Sequence, residues 1–209
     1  MKLREYLRYG HAEAIVVTLD DHGKPNPAPM GIDLEDNYLV VRPYKTSRTY
    51  RNILRNVEAS VNITNDSIVF FKALYFKHEL KFRPARKLRV PVIDDFIDLY
   101  VEGKVDRIVD EGNRASFYLN VLDVYEGKGS RLGYSRANSA LVDILIYASK
   151  IEALSGLIDC SSLKSMYEKI SDLSLLIRRL GNEIINNALN FVLMRVSTIV
   201  KEYCGDLGK

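Results

Sequence analysis

The sequence predicts a mainly β fold with added α-helices: a closed or nearly closed β-barrel over residues 1–130, followed by a small helical domain at 131–209. Before residue 130, short runs of β-branched and aromatic residues alternate with turn residues. After it, three long stretches carry apolar side chains at helical spacing. The strands follow one another without long crossover helices, which favours an antiparallel barrel over a parallel α/β sheet.

The first predicted strand is the apolar run Glu13–Leu19, which stops at the turn residues Asp20–Gly23. A β-branched run before an Asp/Gly turn is typical of a hairpin, and its return arm is Lys24–Leu34. Alternating apolar residues predict the remaining strands at Tyr38–Arg42, Glu58–Thr64, Arg86–Val90, Ile97–Val109 and Ser116–Tyr125.

Good N-cap residues precede the first four predicted helices. A short helix follows Ser47 and ends at Asn56, and a second covers Asn65–Phe76 with Asn65 or Asp66 as its cap. The three long helices begin at Ser135, at Ser161 or Ser162, and after the break Gly181–Asn182.

Composition limits the function classes. Thirty Lys and Arg against 27 Asp and Glu give a net charge of +3, too weak to make nucleic acid or an anionic membrane the default partner. No apolar run approaches the length of a membrane span. Cys160 and Cys204 form neither a disulfide scaffold nor a metal knuckle, so we expect reduced thiols in a cytoplasmic protein.

The segment Arg42–Asn52 is the most informative part of the chain, because it joins a strand end to a helix start. Free amides and the helix dipole favour an anion at a helix N-terminus. Charged and hydroxyl donors in this segment are Arg42, Lys45, Thr46, Ser47, Arg48 and Thr49. They suit a phosphate group. The alternative interpretation is an ordinary capped turn with solvated charges.

Prolines stand at alternate positions of the second strand: Pro25, Pro27 and Pro29. Proline cannot donate a backbone hydrogen bond, so the missing amides fall on one edge of the strand. A planar heterocycle can bond to the carbonyls there. The alternative is an edge strand that proline protects from aggregation.

Two further groups of polar residues leave alternatives open. Asn62 and Thr64 share one face of their strand and face either a ligand or solvent. The basic, aromatic-rich segment 77–89 either binds nucleic acid or forms a solvated face, and the modest net charge favours the solvated face.

Common catalytic signatures are absent from the sequence. It contains no GxGxxG, GxxxxGK[ST], GxSxG or HExxH pattern, and its three histidines have no metal-ligand spacing. The sequence therefore names no catalytic residue and no metal site.

The order IVVTLDDHGKPNPAPMGI, VVRPYKTSRTYRNIL and ASVNITND resembles the flavin-reductase-like FMN-binding split barrels, and more specifically the archaeal DUF447 proteins. The stretch Tyr134–Ile151 strengthens the resemblance. Arg136 and Ala137 match that family's helix pattern, Asp143 replaces a Glu, and Ser149–Lys150 replaces Thr-Arg.

The resemblance implies a six-stranded split barrel that dimerises with FMN at the subunit interface, and a small helical domain after it. The implied phosphate contacts lie in the turn that carries Arg42, Lys45, Thr46, Ser47, Arg48 and Thr49. The implied ring contacts are Asn26, Pro29, Met30 and Gly31, with Asn62 and Thr64 nearby. The implied function is a flavin-dependent oxidoreductase with a possible nicotinamide donor; the alternative is a flavin-binding or flavin-sensing module without turnover. Neither nucleic acid nor a membrane is an expected partner.

Overall fold

The computed structural model describes residues 2–8, 10–129 and 135–205. It divides the chain into two compact units, Met1–Arg131 and Leu132–Lys209. The predicted boundary between residues 130 and 131 lies outside the described residues, so that boundary stays a prediction.

The described residues of the first unit form eight strands, in the order β1 His11–Leu19, β2 Pro25–Glu35, β3 Tyr38–Val41, β4 Glu58–Ile63, β5 Phe82–Arg83, β6 Val92–Ile93, β7 Leu99–Glu111 and β8 Arg114–Glu126. Six of them close a barrel in the order β1-β2-β3-β8-β7-β4, and every neighbouring pair is antiparallel. The predicted antiparallel barrel is confirmed. Strands β5 and β6 form a separate two-stranded ribbon.

Alternation along the strands fills the barrel with apolar side chains. Val16, Ile32, Val61 and Phe117 belong to one buried cluster, with Met30 packed against it. The residues between them, such as Gly31 on β2, therefore lie on the outer face.

The helices are α1 Lys2–Tyr6, α2 Arg48–Asn56, α3 Ser67–Tyr75, α4 Arg136–Leu154, α5 Cys160–Leu180 and α6 Glu183–Cys204, with a 3-10 turn at Lys77–Glu79. The predicted caps Ser47, Asp66 and Ser135 accept hydrogen bonds from helix amides. Helix α1 has no counterpart in the sequence prediction.

The predicted strand Arg86–Val90 is wrong. Its amides bond to two buried carboxylates instead of a neighbouring strand: Arg86 and Lys87 donate to Glu102 at 2.8 and 2.7 Å, and Arg89 donates to Glu58 at 3.0 Å. The alternating Leu88 and Val90 are buried, but the backbone is held by hydrogen bonds to side-chain carboxylates and not by hydrogen bonds to a neighbouring strand.

Two expectations for the helical unit are also wrong. Helix α5 is capped by Asp159 rather than Ser161 or Ser162. Cys160 and Cys204 form a disulfide between the start of α5 and the end of α6, with their Cα atoms 5.4 Å apart. The two cysteines are 44 positions apart, so the sequence alone does not show that these helix ends meet.

Among the described residues, no helix combines the length and the apolar character needed to cross a membrane. The expected cytoplasmic location stays a prediction.

Candidate functional site

One edge of β2 lacks a strand neighbour along most of its length. Strand β1 pairs with β2 from Pro25 to Asp33, whereas β3 pairs with it only from Ile32 to Glu35. Among the described residues, no strand covers the other side of β2 over Pro25–Gly31, which we call the open edge. Its three prolines present carbonyl acceptors but no amide donors.

Helix α2 begins beside this edge. The Ser47 hydroxyl accepts the amide of Tyr50 at 3.1 Å and so caps the helix. The first two helical residues, Arg48 and Thr49, have amides without an intrahelical acceptor. These amides and the dipole make the start of α2 favourable for an anion.

A buried polar network fixes α2 to β2. The Asn26 amide donates to the Thr49 hydroxyl at 3.4 Å, and the Asn52 amide donates to the Thr18 hydroxyl at 2.9 Å. All four side chains are buried. Thr18 pairs with Asn26 in the sheet register, so the network ties the helix start to the first residues of the open edge.

Lys77 joins this network from the 3-10 turn after α3, and its ammonium donates to the side-chain amide oxygen Oδ1 of Asn26 at 2.9 Å. Burial lowers the pKa of Lys77, and the nearby positive charge of Arg48 lowers it further. Within the described residues, no carboxylate pairs with either cation. A bound anion would therefore relieve their mutual repulsion.

Sequence reasoning missed Lys77 because it stands in the basic segment 77–89 and lies 51 positions from Asn26. Its position directly after a predicted helix was the only available signal.

Arg42 and Lys45 differ from this pair of cations because both have carboxylate partners. Arg42 bonds to Asp33 and Glu35 and lies 3.8 Å from Glu111. The Lys45 ammonium contacts both Asp110 oxygens at 2.6 and 2.7 Å. Both cations are thus neutralised by protein carboxylates. Thr46 is exposed on the turn between them and the helix.

The predicted ring contacts on β2 lie on different faces. Met30 points inward against the core, whereas Gly31 lies on the outer face below His11. Pro29 lies opposite Ile15 in the register and is partly exposed. The partly exposed ring surface is therefore the outer side of β2 at Pro29 and Gly31, since Asn26 and Pro27 are buried.

Asn62 and Thr64 are both buried and bonded to neighbouring backbone. Asn62 donates to the Ile15 carbonyl at 3.2 Å and accepts the Ile93 amide at 2.9 Å. Thr64 donates to the Phe96 carbonyl at 2.6 Å. They hold β6 and the segment after it on the barrel, and direct contact of either with a cofactor stays a prediction.

The arginines of the basic segment pack on the barrel. Arg86 stacks 3.7 Å from the Tyr125 ring centroid, and Arg83 lies 4.6 Å from that of Tyr100. Arg89 lies 3.6 Å from Glu58. These contacts match the charged-face interpretation better than a surface with free cations for nucleic acid.

In the helical unit, the family-pattern positions Asp143 and Lys150 line a groove of about 400 Å³ between α4 and α5. Lys150 and Lys169 lie 5.9 and 5.4 Å from the ring centroid of Tyr147. Burial raises the pKa of the Asp143 carboxyl.

A closed six-stranded antiparallel barrel with accompanying helices is the architecture of the flavin-reductase-like split barrels. The chain belongs to the DUF447 family, because the family model described as the N-terminal domain of a protein of unknown function (DUF447) matches residues 12–127.

Solved structures show the same fold. An FMN-bound DUF447 protein from Methanosarcina mazei is 20% identical, with a TM-score of 0.71 over 90% of this chain and 95% of that one. Nitrilotriacetate monooxygenase component B from Bacillus cereus is 16% identical, with a TM-score of 0.51 over 61% of this chain and 78% of the other.

Proposed function

We propose that this protein binds FMN at the junction of α2 and the open edge of β2. The observation that carries the proposal is the pair of cations Lys77 and Arg48, which lack a carboxylate partner among the described residues and lie at the start of α2. A phosphate monoester supplies the missing negative charge and accepts hydrogen bonds from both side chains.

The phosphate position that we propose is refined from the sequence prediction. Arg48, Thr49 and Lys77 contact the phosphate, and Ser47 shapes the helix start. Arg42 and Lys45 do not contact the phosphate in this proposal, because protein carboxylates already bind them. Thr46 stays a predicted contact on the rim of the site.

The flavin ring then lies along the outer side of β2. Asn26 and Gly31 are five residues apart, or about 16 Å along a strand. That length is comparable to an extended flavin mononucleotide. Carbonyls of the proline positions and the amide of Gly31 offer the ring acceptors and a donor.

The activity that we propose is that of an FMN-dependent oxidoreductase. FMN, when bound, supplies the electron chemistry, and the protein supplies orientation and exclusion of water. This division of roles fits a site whose side chains bind and orient the cofactor. Among the described residues, no cluster of His, Cys, Asp and Glu is arranged to hold a metal ion. The FMN-bound relative from Methanosarcina mazei supports FMN as the cofactor.

We further propose a homodimer with the cofactor at the subunit interface and a nicotinamide as the electron donor. Light scattering of the FMN-loaded protein measures the mass, for which we expect twice the chain mass. Anaerobic addition of NADH or NADPH tests the donor. Bleaching of the flavin absorbance supports an oxidoreductase; an unbleached flavin with both donors favours the flavin-binding module without turnover.

The binding proposal is tested by the absorbance of the purified protein before and after incubation with FMN and gel filtration. We expect a flavin spectrum that elutes with the protein. A colourless protein that takes up no FMN refutes the proposal. In the double variant Ser47→Ala/Thr49→Ala, the lost Thr49 bond to a charged phosphate costs about 1.5–3 kcal/mol, and the loss of the Ser47 cap weakens the helix start. Unchanged affinity would remove both residues from the site.

A further inference from the structure

The His11 imidazole lies on the outer face of β2, next to Gly31. A Cβ at position 31 would stand 2.7 Å from the His11 Cε1 atom and 3.2 Å from its Nε2. Glycine is therefore required for the imidazole to occupy this place. The ring stands at the end of the open edge where we place the flavin.

Asp33 fixes the orientation of this imidazole. The His11 Nδ1 lies 2.7 Å from the Asp33 Oδ1. An ionised carboxylate only accepts hydrogen bonds, so Nδ1 carries the proton in the neutral ring. The other Asp33 oxygen accepts from Arg42, which holds the carboxylate in place.

Nε2 is left as the nitrogen that exchanges protons. The His11 side chain is 56% exposed, and Nε2 lies 3.7 Å from the Glu13 carboxylate. The charged groups around the ring are thus Glu13 on β1, Asp33 on β2, and Arg42 with its further partners Glu35 and Glu111. A His oriented by a carboxylate, with its second nitrogen accessible, is the arrangement of a general acid or base.

We propose that His11, positioned by Asp33, is the proton donor for reduction of the flavin bound on β2. This inference rests on the proposed FMN site. A nicotinamide donor delivers two electrons with one hydrogen as hydride. The imidazolium Nε2–H gives the additional proton that the reduction consumes. The imidazole then becomes neutral, with its Nδ1–H still bonded to Asp33. Solvent water returns the proton to Nε2.

The first test measures the imidazole itself by ¹⁵N NMR, in the protein without and with FMN. The chain has three histidines, so His22 and His78 serve as internal controls. We expect the neutral His11 ring to carry its proton on Nδ1, and FMN to shift the ¹⁵N resonances of His11 while those of the other two stay unchanged. A proton on Nε2, or His11 resonances that FMN does not move, overturns the inference.

The second test measures the reduction potential of the bound flavin against pH. We expect an inflection in the wild-type protein and in His22→Asn that disappears in His11→Asn and shifts in Asp33→Asn. His11→Gln repeats the test should the Asn variant not fold. An inflection retained in both His11 variants overturns the inference while the FMN site stands; a wild-type protein that binds no FMN refutes the proposed function itself.

Discussion

The Lys77 ammonium donates to the side-chain amide oxygen Oδ1 of Asn26 at 2.9 Å and so joins the 3-10 turn after α3 to the start of β2. The same asparagine donates to Thr49 on α2. One amide side chain therefore places a lysine beside Arg48 and a helix N-terminus, and this contact assembles the proposed phosphate site from three separate segments.

Replacing Lys77 with Met should weaken FMN binding and leave riboflavin binding unchanged, because only FMN carries the phosphate. The loss of one bond between charged groups is worth about 1.5–3 kcal/mol, or roughly a tenfold to hundredfold rise in Kd. Quenching of flavin fluorescence measures both ligands. Lys81→Met is the matched control, since Lys81 is exposed nearby in the same segment. Equal losses for FMN and riboflavin would contradict a phosphate contact.

The affinity for FMN should fall as the pH rises, and the fall should begin at a lower pH than it would for a lysine with an ordinary pKa. Burial and Arg48 lower the pKa of Lys77 in the free protein, so its positive charge is lost below the usual value of about 10.4. Phosphate binding favours the charged form and therefore draws in a proton at such pH. Titrations between neutral and alkaline pH check this, and the pH dependence should vanish in Lys77→Met. A dependence that persists in that variant would place its origin elsewhere.

Arg48→Ala and Lys45→Ala should differ, although both residues lie in the predicted phosphate turn. Arg48 lacks a carboxylate partner within the described residues, so its loss should raise the Kd for FMN by roughly tenfold or more. Lys45 is held by Asp110 on the exposed tip of the β7–β8 hairpin, and its loss should change affinity little. Exposed ion pairs contribute about 0–1 kcal/mol, so stability should also change little. The opposite ranking of the two variants would refute the assignment.

Glu102→Gln should destabilise the barrel unit. The buried Glu102 carboxylate accepts the amides of Arg86 and Lys87 and the hydroxyl of Tyr125, at 2.7–2.8 Å. The NH₂ group of a Gln side chain is a donor and would face one of these donors in place of a carboxylate oxygen. At least one buried group then loses its hydrogen-bond partner, which costs about 1–3 kcal/mol. Urea unfolding measures the change. Glu168→Gln, at an exposed position of α5, is the control and should be neutral.

Reducing the Cys160–Cys204 bond should lower the stability of the helical unit. In the chain-entropy account a link across this separation contributes about 4 kcal/mol. Calorimetry of the protein with and without a phosphine reductant measures the change, and the double variant Cys160→Ser/Cys204→Ser should match the reduced protein. Two titratable thiols in unreduced, denatured protein would contradict the disulfide.

The barrel could be predicted from sequence because its signals are local. Alternation at Glu13–Leu19, the Asp/Gly turn and the cap at Ser47 each act over a few residues, and the structure reproduces them. The segment Arg86–Val90 shows the limit. Its alternation is local, but the Glu58 and Glu102 carboxylates that hold it come from distant strands.

The candidate site was predicted in part for the same reason. The phosphate turn and the proline strand are local patterns, whereas the partners of each cation depend on tertiary contacts. Arg42 and Lys45 look like phosphate ligands in sequence, and only the fold brings them to Asp33 and Asp110. Lys77 could not be linked to Asn26 without the position of α3.

A crystal structure of the protein with FMN tests the central claim most directly, through the position of the phosphorus atom. We expect the phosphate oxygens within hydrogen-bonding distance of the Lys77 ammonium, the Arg48 guanidinium and the Thr49 hydroxyl at the start of α2. A phosphate bound elsewhere, with Lys77 and Arg48 still without an anionic partner, would contradict the account.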